Sequence, residues 1–158
     1  LDLDVLAYDP YVDAAEIGAH DGEKVDDLHD LAAGSDVLSL HAPLTDETAG
    51  MIDAAVFAAL PEHAVLVNTA RGDIVDQHAL REALDAGELR AAALDVLEEE
   101  PPGEDPLLER RDVVTTAHAA WYSEASRRDL NETVARQVAA ALDGEEPEHV
   151  VDTDAEWL

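Results

Sequence analysis

The chain has 158 residues, about one domain, and 47% of them are hydrophobic, enough for a sizeable core. Thirty-eight acidic residues against 9 basic ones give a formal charge of −29, which repels nucleic-acid phosphates and anionic membrane surfaces and counts against both as partners. Cysteine is absent, which excludes disulfides, thiolate chemistry and Cys-based metal sites, and no apolar run approaches the ~20 residues of a membrane span.

The first apolar run, Val5-Leu6-Ala7-Tyr8, reads as a strand, followed by a short helix over Asp13–Gly18. Val25–Ala33 has helical spacing and stops at Gly34, a natural C-cap. Val37–Leu40 is the second strand. Asp53 is placed to cap a helix that runs to Leu60 and is stopped by Pro61. Ala64–Asn68 is the third strand, and Asp76 opens a helix over Gln77–Ala86 that Gly87 closes. Ala91–Asp95 and Val113–Thr115 are the fourth and fifth strands. A last long helix is expected from Ser123, its cap, to Leu142, with Gly144 as its stop and a polar tail over Glu145–Leu158. The strands are apolar without alternation, the pattern of a parallel sheet buried on both faces. Strand–helix alternation at these spacings predicts a doubly wound α/β sheet.

The charge has two readings. Disorder is the weaker one, because the acidic residues are interleaved with periodic Val, Leu, Ile and Ala. The other is adaptation to concentrated salt, where the Debye length falls to about 3 Å at 1 M and self-repulsion is screened. With Lys24 as the sole lysine, the composition points to a halophile's cytoplasm and to a fold that loosens in dilute salt. A melting point that does not change between about 0.1 M and multimolar salt would contradict this.

Ligands of doubly wound sheets gather at the carboxyl ends of the strands, and polar residues recur there. Asp9 follows the first strand, His41 the second, Asn68-Thr69-Ala70-Arg71-Gly72 the third and His118 the fifth, while Asp95 ends the fourth. An acidic residue at the position of Asp9 suits ribose hydroxyls and repels the extra phosphate of NADP; a turn Asp before Pro10 is the plainer alternative. Arg71 suits a substrate carboxylate and the adjacent carbonyl oxygen; a surface salt bridge is its alternative. His118 suits proton transfer near neutral pH, with Glu100 to orient it. The alternatives are a structural histidine and a solvated acidic loop, Glu98–Glu100. The remaining histidines (20, 29, 63, 78 and 149) carry no assigned role, and no spacing suggests a metal.

Five segments taken together, Val5–Pro10, Leu40–Thr45, Leu66–Asp76, Ala92–Pro101 and Thr116–Ser123, resemble the D-2-hydroxyacid dehydrogenase family over nearly the whole chain. Leu-Val-Asn-Thr-Ala-Arg-Gly at 66–72, Asp95 with Glu100-Pro101, and the closing His118 carry the resemblance. It implies a Rossmann-like domain with NAD as cofactor and a small 2-hydroxyacid or 2-oxoacid as substrate. Arg71, Glu100 and His118 would then be catalytic. Asp9 would take the adenosine ribose, Ala42, Pro43, Leu44 and Thr48 the adenine end, Thr69 and Ala70 the nicotinamide side, and Asp95 the carboxamide. Arg71, His118 and Ala119 complete the cofactor contacts, and Trp121 joins Arg71 and His118 on the substrate.

The run His118-Ala119-Ala120-Trp121-Tyr122-Ser123 is most similar to the C-terminal-binding-protein branch, which includes NAD-sensing corepressors. Trp121 there suits a bulky apolar 2-oxoacid or, equally, ordinary core packing. Thr116-Ala117-His118 departs from the family's usual Thr-Pro-His, which leaves this loop less stiff. The glycine-rich turn and first strand would lie before Leu1, so residues 1–121 are expected to be a partial NAD-binding domain. Residues 122–158 would be a helix and tail returning to a substrate domain. The readings to separate are thus a dehydrogenase, homodimeric at full length, a nucleotide-sensing scaffold, and an inactive truncated product.

Overall fold

A computed structural model describes residues 3–148 and 150; His149, residues 1–2 and the tail from 151 onward lie outside the described residues. The chain forms two compact units, Leu1–Ala117 and His118–Leu158, with the division four residues before the expected boundary at 121.

The first unit is α/β with parallel strands throughout. Strands β1 (Val5–Ala7) and β2 (Gly22–Lys24) form one sheet, and β3 (Val37–Leu40), β4 (Val65–Asn68), β5 (Ala91–Leu94) and β6 (Val113–Thr115) form a second in that order. The connecting helices are α1 (Ala14–Gly18), α2 (Leu28–Ala33), α3 (Ala54–Ala59) and α4 (Gln77–Ala86). Their ends follow local chemistry. The carboxylates of Asp13, Asp27, Asp53 and Asp76 each accept backbone N–H bonds from the first turn, and Gly87 closes α4 in the left-handed region at φ 74°.

Two expectations change here. Helix α2 begins at Leu28 rather than Val25, because the Val25 N–H donates to Ala7 O and extends the β1–β2 pairing. Strand β2 has no apolar run to announce it; Gly-Glu-Lys is a strand only because β1 supplies its partners.

The expected burial on both faces is also corrected. Leu38, Leu66, Ala92 and Val113 lie in one register row, and Leu40, Asn68 and Leu94 in the next on the same face; all are buried. All but the polar Asn68 join Ala32 of α2, Val56 and Phe57 of α3, and Leu80, Ala83 and Leu84 of α4 in a single core. The other face, with Val37, Ser39, Val65, Val67, Ala91, Ala93 and Val114, is exposed or half-buried, and Val114 is 65% exposed. Side chains of successive strand residues point to opposite faces, so an unalternating apolar strand shows only that either face can be covered.

The second unit holds α5 (Glu124–Leu142), capped by the Ser123 hydroxyl on the Ser126 N–H as the sequence predicts. No residue of α5 is buried. Glu148 returns to the helix: its N–H donates to Gln137 Oε1 at 2.7 Å, and its carboxylate lies 3.7 Å from the Arg136 guanidinium. Among the described residues no helix is long and apolar enough to cross a membrane.

Candidate active site

The turn after β4 is shaped by one buried amide. Asn68, 1% exposed at the carboxyl end of the strand, accepts the Ala70 N–H on Oδ1 at 3.0 Å and donates Nδ2 to Arg71 O at 2.8 Å. Asparagine is suited to this because it supplies an acceptor and a donor to its own following backbone. The turn therefore presents Thr69, Ala70 and Arg71 in a fixed order. The Arg71 guanidinium is exposed, and among the described residues it makes one side-chain hydrogen bond, Nη1 to Ala70 O at 2.7 Å. Among the described residues Arg71 forms no salt bridge, although the chain is rich in carboxylates. Most of its five donors are left for a ligand.

Arg71 lines a cavity of about 490 Å³ together with Leu40, His41, Ala42, Pro43, Leu44, Thr69 and Ala70. The volume suits a small-molecule or cofactor site, and it opens at the carboxyl ends of β3 and β4. Thr48 is not in the lining; its hydroxyl donates to Pro43 O at 2.6 Å and accepts the Thr45 N–H at 2.8 Å, which braces the Ala42–Leu44 wall. Asp9 lies just past β1, its Oδ1 accepting the N–H groups of Tyr11 (2.8 Å) and Val12 (3.2 Å). The turn role and a ligand role are compatible, because Oδ2 is not used by the turn.

Asp95 is 5% exposed at the end of β5; its backbone N–H donates to Asn68 O, and its carboxylate accepts the Thr116 hydroxyl. The loop that follows is pressed onto the Arg71 turn. A Cβ on Gly72 would stand 2.0 Å from Leu97 C, so only glycine fits there. Glu98 accepts the Gln77 N–H at 3.0 Å, adding a second carboxylate to the N-terminus of α4. Glu100 is exposed, and its Oε1 accepts the Leu97 N–H at 3.1 Å.

Among the expected site residues, the first unit brings Ala42, Pro43, Leu44, Thr69, Ala70 and Arg71 around one cavity. His118, Ala119 and Trp121 belong to the second unit. There His118 has φ 50°, a left-handed conformation uncommon outside glycine, and its carbonyl accepts the Trp121 Nε1–H at 3.1 Å. Trp121 is 52% exposed and meets Tyr122 edge-on at 5.5 Å.

The sequence placed His41 at a ligand-gathering strand end, but it did not single out Leu40 as a cavity wall, Glu98 as a helix cap, or Asn68 as the former of the Arg71 turn. For Asn68 a signal existed: an Asn at a strand end with Arg three residues on. Among the described residues no three His, Asp or Glu side chains gather as a metal site.

The profile of the D-isomer specific 2-hydroxyacid dehydrogenase NAD binding domain matches residues 1–120. Over 149 residues the chain is 40% identical to the D-3-phosphoglycerate dehydrogenase of Methanocaldococcus jannaschii, covering 94% of this chain and 28% of that protein. It is similar in structure to a D-lactate dehydrogenase with NAD+ from Lactobacillus jensenii (TM-score 0.83, 32% identity, 94% of this chain and 48% of that one). A D-isomer specific 2-hydroxyacid dehydrogenase from Xanthobacter autotrophicus, in complex with NADPH and MES, is also similar (TM-score 0.79, 32% identity, 94% and 61%). The chain thus spans between about a quarter and three-fifths of these relatives' lengths. It belongs to the D-isomer specific 2-hydroxyacid dehydrogenase family, and its residues 1–120 are part of that family's NAD-binding domain.

Proposed function

We propose that this chain is the cofactor-binding part of an NAD-dependent enzyme that interconverts a D-2-hydroxyacid and a 2-oxoacid. The observation that carries the proposal is Arg71: an exposed guanidinium, without a carboxylate partner among the described residues of a strongly acidic chain, on the lip of the cavity at the strand ends.

The strand-end residues fit a dinucleotide. Within the cavity, Ala42, Pro43 and Leu44 offer an apolar wall for an adenine and Thr69 and Ala70 the nicotinamide side; outside its lining, Asp95 is a buried acceptor for the carboxamide and Asp9 an acceptor for ribose hydroxyls. Ala119 completes the cofactor contacts. When bound, the nicotinamide supplies the hydride. Arg71 holds the substrate carboxylate and draws charge toward the carbonyl oxygen, stabilising the alkoxide that develops there. His118 delivers the proton to that oxygen in the reductive direction and removes it in the reverse. Glu100 orients His118. Trp121 contacts the substrate side chain.

The usual strand order of a dinucleotide fold, 3-2-1-4-5-6, puts one strand between the pair 3-2 and the run 4-5-6. The division of this sheet into β1–β2 and β3–β6 supports placing the missing first strand and its glycine-rich turn there, in a longer polypeptide. The corepressor-like scaffold remains the second reading. The half-exposed Trp121–Tyr122 pair favours it, as a surface that a partner could grip.

The test is NADH oxidation by the full-length protein with a panel of 2-oxoacids in concentrated salt. Arg71→Ala is expected to cost at least about 10²-fold in kcat/KM, as losing a group that stabilises developing charge does; His118→Ala is expected to fall with it. Turnover that survives either change would refute the mechanism. NADH binding without turnover of any oxoacid would favour the scaffold.

A further inference from the structure

Two loops, one leaving each sheet, are joined by a hydrogen bond that neither the cavity nor the core requires. Tyr11, four residues past β1, donates its hydroxyl to Glu47 Oε2 at 2.6 Å; Glu47 lies seven residues past β3. Both residues are exposed, so the bond satisfies no buried group. What it does is hold a carboxylate in one place, with the short length of a charge-assisted bond.

The surroundings connect that carboxylate to the nucleotide end of the site. Tyr11 is tied through its own N–H to Asp9 Oδ1, so one residue links Asp9 to Glu47. Glu47 donates its N–H to Thr45 Oγ1 at 3.3 Å, and the Thr45 N–H is bound by the Thr48 hydroxyl that also holds Pro43 O. The loop that positions Glu47 is therefore continuous with the Ala42–Leu44 wall. A flexible surface glutamate would sample much of the solvent shell and exert little directed field. One pinned by a tyrosine, whose backbone N–H binds the proposed ribose-binding aspartate, adds a fixed negative charge one tyrosine's length from it.

We propose that Glu47, held by Tyr11, is a second determinant of cofactor choice, acting with Asp9 against a dinucleotide that carries a 2′-phosphate. This rests on the reading of Asp9 as the ribose acceptor. A phosphate placed at that hydroxyl would meet two carboxylates instead of one. A relative solved with NADPH shows that the fold itself does not exclude the phosphorylated cofactor.

The experiment is fluorescence titration of the full-length protein with NADH and with NADPH, at the lowest salt that preserves the far-UV spectrum. Wild type would be compared with Asp9→Asn, Glu47→Gln and Tyr11→Phe. Glu47→Gln keeps an acceptor for the tyrosine and removes only the charge. It is expected to lower the NADH-over-NADPH preference about three- to tenfold, the scale of one like charge about 10 Å away in partly solvated space at low salt. NADH affinity itself should stay within about twofold. Tyr11→Phe frees the carboxylate and should lower the preference by less. Raising the salt should shrink both effects. If Asp9→Asn lowers the preference and Glu47→Gln does not, the role of Glu47 is refuted while the ribose site stands. If neither changes it, the Asp9 assignment falls and this inference falls with it.

Discussion

Helix α4 has 10 residues and buries Gln77, Ala79, Leu80, Ala83 and Leu84, whereas α5 has 19 residues and buries none. Both are opened by a side-chain cap and both end where the sequence says they should. The caps of α4 are supplemented from outside the helix: Glu98 reaches its first N–H, and Asp85 near its end pairs with Arg110. The ion pairs of α5 join it to itself or to the tail, Arg128 with Asp129 and Arg136 with Glu148, all well exposed. Local chemistry thus fixes where each helix begins and stops, and only tertiary partners decide what it contributes to stability. The comparison predicts that changes around α4 will be felt by the whole first unit and that changes on α5 will scarcely register.

The largest effect is expected just ahead of α4. Gly72 opens a short 3-10 turn, Gly72–Ile74, and faces the backbone of Leu97 and Glu98. Alanine would put a methyl 2.0 Å from Leu97 C, and backbone, unlike a flexible side chain, cannot step aside without moving the loop that carries Glu100. Gly72→Ala should cost about 3 kcal/mol or more, read from the urea midpoint. It should also lower catalysis beyond its effect on stability, because the Arg71 turn and the Glu100 loop move apart together. An unchanged midpoint would show that the Leu97–Glu98 segment yields freely and that the two loops are not locked.

Such a contact explains the limits of reading this site from sequence. Arg71, Asp95 and Asp9 stand at strand ends, so periodicity and fold class were enough to single them out, whereas the Ala42–Leu44 wall came only with the family resemblance. The caps Asp53, Asp76 and Ser123 were legible because each acts within four residues of itself. Strand β2 and the open face of the sheet were not, since Gly-Glu-Lys and Val114 take their states from partners distant in sequence. Glu98 looked like one of three solvated glutamates; its bond to Gln77 spans 21 residues. The role of Asn68 lay between these cases, a local motif whose importance depends on the strand that buries it.

A smaller effect is expected at the far end of α4. Arg110 donates to both carboxylate oxygens of Asp112 and pairs with Asp85, joining α4 to the segment before β6. The hydrogen bonds from Arg110 hold the Asp112 carboxyl below its ordinary value of 3.8, and those carboxylates keep Arg110 charged beyond its usual range. A carboxyl lowered on folding adds stability that is fully present above its unfolded value and is lost as pH falls through the lower, folded one. Asp112→Asn should therefore reduce stability at neutral pH and flatten its decline below about pH 4. Because Asp112 is about one-third exposed, at 35%, the loss should stay under about 1 kcal/mol. Acid unfolding curves of the two proteins that run parallel would show that the pair adds nothing.

The smallest effect belongs to α5. Val134 is 53% exposed, in a stripe with Leu130, Val138 and Leu142, each at least 53% exposed. Truncating it removes little buried area, and alanine is the better helix former by up to about 0.7 kcal/mol. Val134→Ala should therefore change the midpoint by less than about 0.5 kcal/mol, in either direction. The matched change on α4, Leu80→Ala at a fully buried position, should cost about 2–5 kcal/mol. The pair of variants tests the comparison directly, because both remove methyl groups from capped helices and differ in what those groups touch. If Val134→Ala cost as much as Leu80→Ala, the stripe on α5 would have to be covered in solution. A midpoint that rose with protein concentration would then identify a second copy as the cover.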